Sequence, residues 1–269
     1  MNFCIISPIT GLERYSTLSR FHLVLAHLLR DKHYYNFYAG RRDAGDFLIL
    51  DNGAYENTQS VHPETYFGLA RQLQPNVVVL PDVFMSPWRI TTSESLKFLD
   101  TYIERFITLP EFMFVPQCQT TKDNKDGYTS REEFFQSLET AVNDGRVGRY
   151  IQWVGLGRYL HTEFTNLPGK GFRRANLARE IQRAGFRHLK VHALGMANGS
   201  VEELQALQDA GVHSIDSSAP VWRGWNGYSI SDLRWKEEGT SCNFLTTDIP
   251  NEWQILQNLE ACNVDTGKG

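Results

Sequence analysis

Short apolar runs recur along this chain at 3–7, 47–51, 77–81, 112–116, 151–157, 189–195 and 213–217, and each is apolar on both of its faces. A strand with one wet face would alternate, so runs like these point to parallel strands covered by helices on either side. Between them, 15–30, 63–73, 91–107, 130–143, 175–185 and 200–210 read as helices, several opened by Thr, Ser or Pro. A further pair comes from 241–245 as a last strand and 249–262 as a last helix. From Asp51 to Asp82 is 31 residues and from Asp82 to Gln117 is 35, each enough for a strand, a helix and two loops. Eight such units close a barrel. The expected fold is therefore a (β/α)8 TIM barrel, with a doubly wound open sheet as the alternative. No repeat or Pro/Ser-rich linker interrupts the chain, so residues 1–269 are expected to form a single domain.

Composition narrows the class. The 269 residues are 41% hydrophobic and 22% charged, which suits a large core and excludes a disordered chain. No apolar stretch approaches the roughly 18 residues that a membrane span needs. The N-terminus has no basic lead and reads as a first strand rather than a signal peptide, so a cytoplasmic location is expected. Cys4, Cys118, Cys242 and Cys262 are far apart and without a C-x-x-C pair. Reduced thiols are the expectation, Cys118 is read as inert, and no metal or organic cofactor is expected.

In a barrel the active site is assembled at the C-terminal ends of the strands. Standing there are Asp51, Asp82, Gln117, Gly155, His192 with Leu194 and Gly195, and Asp216. Singly, the aspartates have ordinary explanations as turn or capping residues. Three at one end of the barrel are harder to explain that way. Converging carboxylates raise one another's pKa, and such groups serve as nucleophile, acid or base. Metal binding by Asp51, Asp82, Asp216 and His192 is the competing use, though no paired histidines support it. His192 itself reads as a packed strand residue.

Six segments in order resemble the motifs of the tRNA-guanine transglycosylases: LDNGAYE (50–56), VVLPDV (78–83), FVPQCQ (114–119), VGLG (154–157), HALGM (192–196) and GVHSIDSSAP (211–220). The resemblance covers about residues 45–220. It implies Asp216 as the nucleophile and Asp51 as the general acid/base. Tyr55, Asp82, Gln117, Gly155, Leu156, Leu194 and Gly195 would bind the base. Asn52, Ala54, Glu56 and Val83 depart from the family pattern, and its zinc subdomain is absent after Asp216. A compact relative resembles the chain more closely, the DpdA-type DNA transglycosylases of phages and bacteria.

That resemblance implies exchange of guanine in DNA for a 7-deazaguanine base, by double displacement through a covalent aspartyl-glycosyl intermediate and without a cofactor. A tRNA-guanine transglycosylase, a base glycosylase and an inactive nucleic-acid-binding or partner subunit are the alternatives. DNA, with tRNA as the alternative, and the 7-deazaguanine base would be the partners, beside helper proteins or a second copy of the chain. The net charge of −4 hides a segregated pattern, since seven basic residues against Glu180 give +6 over 169–190. Lys170, Arg173 and Arg174 are candidates for phosphate contact, with Arg223 and Trp222 beyond them; Arg41, Arg42 and Trp225 are further candidates. Arg179, Arg183 and Arg187, spaced by four, equally suit a solvated helix face.

Overall fold

The computed structural model describes residues 1–54, 60–83, 86–117, 131–158, 173–196, 201–232 and 251–265. Eight parallel strands form one sheet: β1 (Asn2–Ile5), β2 (Phe21–Leu25), β3 (Phe47–Asp51), β4 (Val77–Val79), β5 (Glu111–Phe114), β6 (Ile151–Leu156), β7 (Lys190–Ala193) and β8 (Ser214–Ser217). Their order is β1-β8-β7-β6-β5-β4-β3-β2, which returns the last strand beside the first and brings the sheet almost to closure. At the seam between β1 and β2, side chains stand in for a ladder. The Ser19 hydroxyl donates to Phe3 O at 2.7 Å and accepts from Phe21 N, and Ser16 reaches Ile5 O. This is the expected (β/α)8 barrel.

Helices cover the outside: α1 (Leu12–Tyr15), α2 (Lys32–Asp43), α3 (Pro63–Leu73), α4 (Trp88–Tyr102), α5 (Arg131–Val142), α6 (Arg173–Arg183), α7 (Val201–Asp209), α8 (Ala219–Trp225) and α9 (Glu252–Ala261). None among the described residues is long and apolar enough to cross a membrane. Proline opens α3, and a left-handed Gln74 ends it, which fixes where the chain turns into β4. Tyr66 on α3 then donates its hydroxyl towards Leu50 O and Val79 O, pinning the helix over β3 and β4.

The largest correction concerns 15–30, which is not a helix. Its centre is β2, and α2 follows it with Asp31 accepting from Tyr34 N at the helix start. Leucines suit either structure, but a surface helix needs a polar face, whereas His22, Leu23, Val24 and Leu25 are all buried. Asp51, Asp82 and Asp216 therefore belong to β3, β4 and β8 rather than to the second, third and seventh strands. The expected strand at 241–245 lies outside the described residues, and the expected last helix at 249–262 is α9.

Register decides which side chains enter the barrel. Phe47 on β3 meets Trp153 on β6 with ring centroids 5.9 Å apart, so Phe47, Ile49 and Asp51 point inward. Paired residues of parallel neighbours share a face: Ile49 with Val77, Val77 with Glu111, Trp153 with Lys190, His192 with Ser214 and Asp216 with Cys4. The N-terminal end of the barrel is plugged by Glu111, which accepts from Lys190 Nζ at 2.8 Å and from Trp153 Nε1 at 2.5 Å. The same alternation turns Asp51, His192 and Asp216 inward towards the C-terminal end.

Candidate active site

On the β3–β5 side of the mouth, three side chains form a buried chain of hydrogen bonds. Asn52 Nδ2 donates to Asp82 Oδ1 at 2.7 Å and to Leu80 O at 2.8 Å, and its own Oδ1 accepts from Ala54 N. Gln117 Nε2 donates to the other Asp82 oxygen. Asp82 is only 6% exposed. Burial is the main influence on it and raises its pKa from 3.8 to about 6, against the opposing pull of the Asn52 and Gln117 hydrogen bonds. Asp51, half-buried at the end of β3, accepts from Gly53 N at 2.8 Å, and Gly53 takes the left-handed φ of 75° that this tight turn requires.

The β7–β8 side is built differently. Asp216 Oδ1 accepts from Gly195 N at 3.1 Å and meets His192 Nε2 at 3.0 Å, while His192 Nδ1 meets Ser214 Oγ at 2.7 Å. His192 and Ser214 are fully buried, so they orient Asp216 and do not meet a ligand themselves. Asp216 Oδ2 has no hydrogen-bond partner among the described residues and is the oxygen left for a ligand. Gly195 presents its N–H from a left-handed turn with φ of 67°.

That turn is held from beneath by Arg174 at the start of α6. Its guanidinium donates to Leu156 O at 3.2 Å, Leu194 O at 2.9 Å and Gly195 O at 2.7 Å, and pairs with Glu203 of α7. Both charged side chains are almost wholly buried, so the pair ties the ends of β6 and β7 to two helices. His27, in the turn after β2, stands at the same end as Asp51, because Leu25 is paired with Asp51. Burial lowers its pKa and favours the neutral ring.

Of the residues singled out in the sequence, Asp82 joins Gln117 and Asp216 joins Gly195, and Asp51 ends β3, all at the C-terminal ends of the strands. Gly155 does not offer its backbone there: a Cβ on it would lie 2.8 Å from Val115 Cγ2 and 3.1 Å from Leu194 Cδ1, so its role is to admit neighbouring side chains. Leu156 is fully buried and alternates with inward Gly155, which places it on the outer face of β6. Leu194 packs over Gly155 while its carbonyl serves Arg174.

Two basic candidates are corrected outright. Arg174 is committed to Glu203 and three carbonyls, and Arg223 is buried with a hydrogen bond to Ile230 O, so neither is placed to meet a phosphate. Trp222 stacks on Trp225, at 4.8 Å and 15°, and both are half-buried. Tyr55, Cys118, Lys170 and the side chain of Arg173 lie outside the described residues. His27 is the contributor that sequence reading missed, whereas His192 and Arg174 were singled out for other roles, the first as a packed strand residue and the second as a phosphate contact. For His192 the available signal was its place two residues before Leu194 on a strand whose neighbour ends in an aspartate.

The chain matches no family model and no curated protein. Its fold is shared with a protein described as a fructose-1,6-biphosphate aldolase from Coccidioides immitis, at 12% identity and a TM-score of 0.54, covering 99% of this chain and 86% of that one. It is shared also with the fructose-bisphosphate aldolase of Campylobacter jejuni, at 11% identity and a TM-score of 0.55, covering 97% and 86%. These findings overturn the resemblance to tRNA-guanine or DpdA-type transglycosylases, and with it the 7-deazaguanine exchange and its nucleic-acid substrate. The physical reason is that a parallel barrel ends its strands in the same way many times over, with an apolar run, an acidic or amide residue and a glycine turn. Six weak motifs in order are what the fold itself produces.

Proposed function

We propose that the protein is an acid–base enzyme that takes a proton from carbon beside a carbonyl group of a small polar substrate held in the barrel mouth. The observation that carries this is the contrast between Asp82 and Asp216. They belong to β4 and β8, four strands apart in either direction round the barrel, and therefore flank the mouth from opposite sides. Asp82 is dry, with a pKa of about 6, so it keeps its proton up to about pH 6, beyond the range of an ordinary aspartate. Asp216 is oriented as a hydrogen-bond acceptor by His192 and the Gly195 amide. Both carboxyls are buried, but Asp82 is held by two side-chain amides and Asp216 by an imidazole and a backbone amide, and that difference in partners suits different roles.

In this reading Asp216 Oδ2 removes the proton from carbon, and the C–H electron pair becomes the C=C bond of an enol. The carbonyl π pair moves onto oxygen, where the Asp82 carboxyl supplies a proton or a hydrogen bond. Return of a proton to the same or the adjacent carbon gives exchange or isomerisation. Cleavage of a neighbouring carbon–carbon bond runs through the same enol, which is the step that the name aldolase denotes in proteins of this fold. Asn52 and Gln117 keep Asp82 in place, and Arg174 keeps the Gly195 turn in place.

The test is solvent exchange. The protein is incubated in deuterium oxide with a panel of hydroxyketones, keto acids and hydroxy aldehydes, and replacement of C–H by C–D is followed by proton NMR. Wild type is expected to label at least one compound, and Asp216→Asn to slow labelling by about 10²- to 10⁴-fold. Labelling that survives Asp216→Asn, or a panel in which nothing is labelled, would sink the proposal.

A further inference from the structure

Two side-chain atoms at the mouth are buried without a hydrogen-bond partner among the described residues: Gln117 Oε1, an acceptor, and His27 Nδ1, whose role follows the ring's tautomer. Gln117 is the more informative because the residue is only 4% exposed and its orientation is determined. Two oxygens at hydrogen-bond distance would repel, so the amide nitrogen must face the ionised Asp82 carboxylate, and the amide oxygen must face the other way. That direction is the barrel interior. Met113 and Val115 reach Gly155 inside the barrel, and Gln117 follows them in the alternation along the β5 segment. A buried acceptor with no donor is costly, and a donor brought by a ligand relieves that cost.

His27 adds a second such atom three strands away, at the end of β2, with Asp51 and Asp82 on the strands between. With the ring neutral, one of its nitrogens carries an unshared pair.

We infer that the mouth recognises a small neutral ligand through the hydrogen-bond donors it presents, O–H or N–H, and that Gln117 Oε1 selects for them. This rests on the reading of the mouth as the active site and deepens it, since it specifies what the substrate must carry besides the carbonyl. Gln117 is thus a specificity residue as well as a support for Asp82.

A binding measurement keeps this inference separate from the reaction. Saturation-transfer NMR on the full chain would compare pentane-1,5-diol with 1,5-dimethoxypentane, whose ether oxygens carry no O–H. It would also compare 2-pyrrolidinone with cyclopentanone, which has the same ring size but no N–H. In at least one pair the donor-bearing compound is expected to bind about tenfold more tightly or better, and the pair that discriminates identifies O–H or N–H as the donor. Gln117→Met should erase the discrimination. In case that variant does not fold, the side-chain amide resonances of Gln117 in the wild-type ¹⁵N spectrum should move with the donor-bearing compound and stay with its counterpart. Equal binding within both pairs, discrimination that persists in Gln117→Met, or an unmoved Gln117 amide would each overturn the inference. None of these outcomes depends on whether deuterium exchange is seen.

Discussion

Replacing Asp82 by asparagine should make the protein more stable at neutral pH while disabling it. The folded pKa of about 6 lies above the ordinary 3.8, so folding holds the Asp82 proton more tightly than the unfolded chain does. The stability associated with that proton is complete below pH 3.8, falls as the pH rises towards 6, and is gone above it. A difference of about two pKa units corresponds to about 3 kcal/mol. In Asp82→Asn no charge is buried, and the Gln117 amide can turn so that its oxygen meets the N–H of the introduced amide. Chemical denaturation of both proteins from pH 4 to pH 8 measures the effect. The stability of the variant relative to wild type should rise by about 1.4 kcal/mol per pH unit between about 4 and 6, then level off. A difference that stays constant across this range would refute the reasoning, because it would mean that Asp82 is ordinary in the folded state.

The same titration predicts that deuterium exchange by the wild-type protein weakens as the pH rises through about 6, since the proton on Asp82 is then lost; a rate profile in buffers of constant ionic strength checks this. Arg174→Met should destabilise the fold by about 3–5 kcal/mol in urea titration, because it strands buried Glu203 and three carbonyls. His192→Phe should cost about 1–3 kcal/mol by leaving Ser214 and Asp216 without their partner, and should slow exchange while the Gly195 amide bond remains. Gly155→Ala should lower stability by about 1–3 kcal/mol, since its methyl meets movable side-chain ends. Gly224→Ala should cost more than Gly155→Ala when both are compared by thermal melts, because its methyl would lie 2.6 Å from the Ile255 backbone.

Much of the barrel was legible in the sequence for a simple reason. Strands such as 47–51, 151–157 and 213–217 are covered on both faces, so they must be apolar throughout, and that pattern survives without knowing the neighbours. The segment 15–30 defeated the same logic because its leucines satisfy a helix as readily as a strand. Only insertion of Phe21–Leu25 beside β3 decides between them. Counting motifs failed for a related reason: similar strand ends recur in any such barrel, so their order carries less information about chemistry than about the fold.

The sequence by itself determined seven of the eight strands and that carboxyls and an amide stand where strands end. It could not determine what those groups are to one another. His192 finds Ser214 and Asp216 at separations of 22 and 24 residues, Asn52 finds Asp82 at 30, and Arg174 finds Glu203 at 29. Those pairings follow from the register of neighbouring strands and the seating of helices, which exist only once the sheet has curled round on itself. Closure also removes water from Asp82 but leaves Asp51 half-exposed. The weakened acidity of Asp82 is thus a tertiary property, because acidity is set by the surroundings of a carboxyl and only the folded chain supplies them.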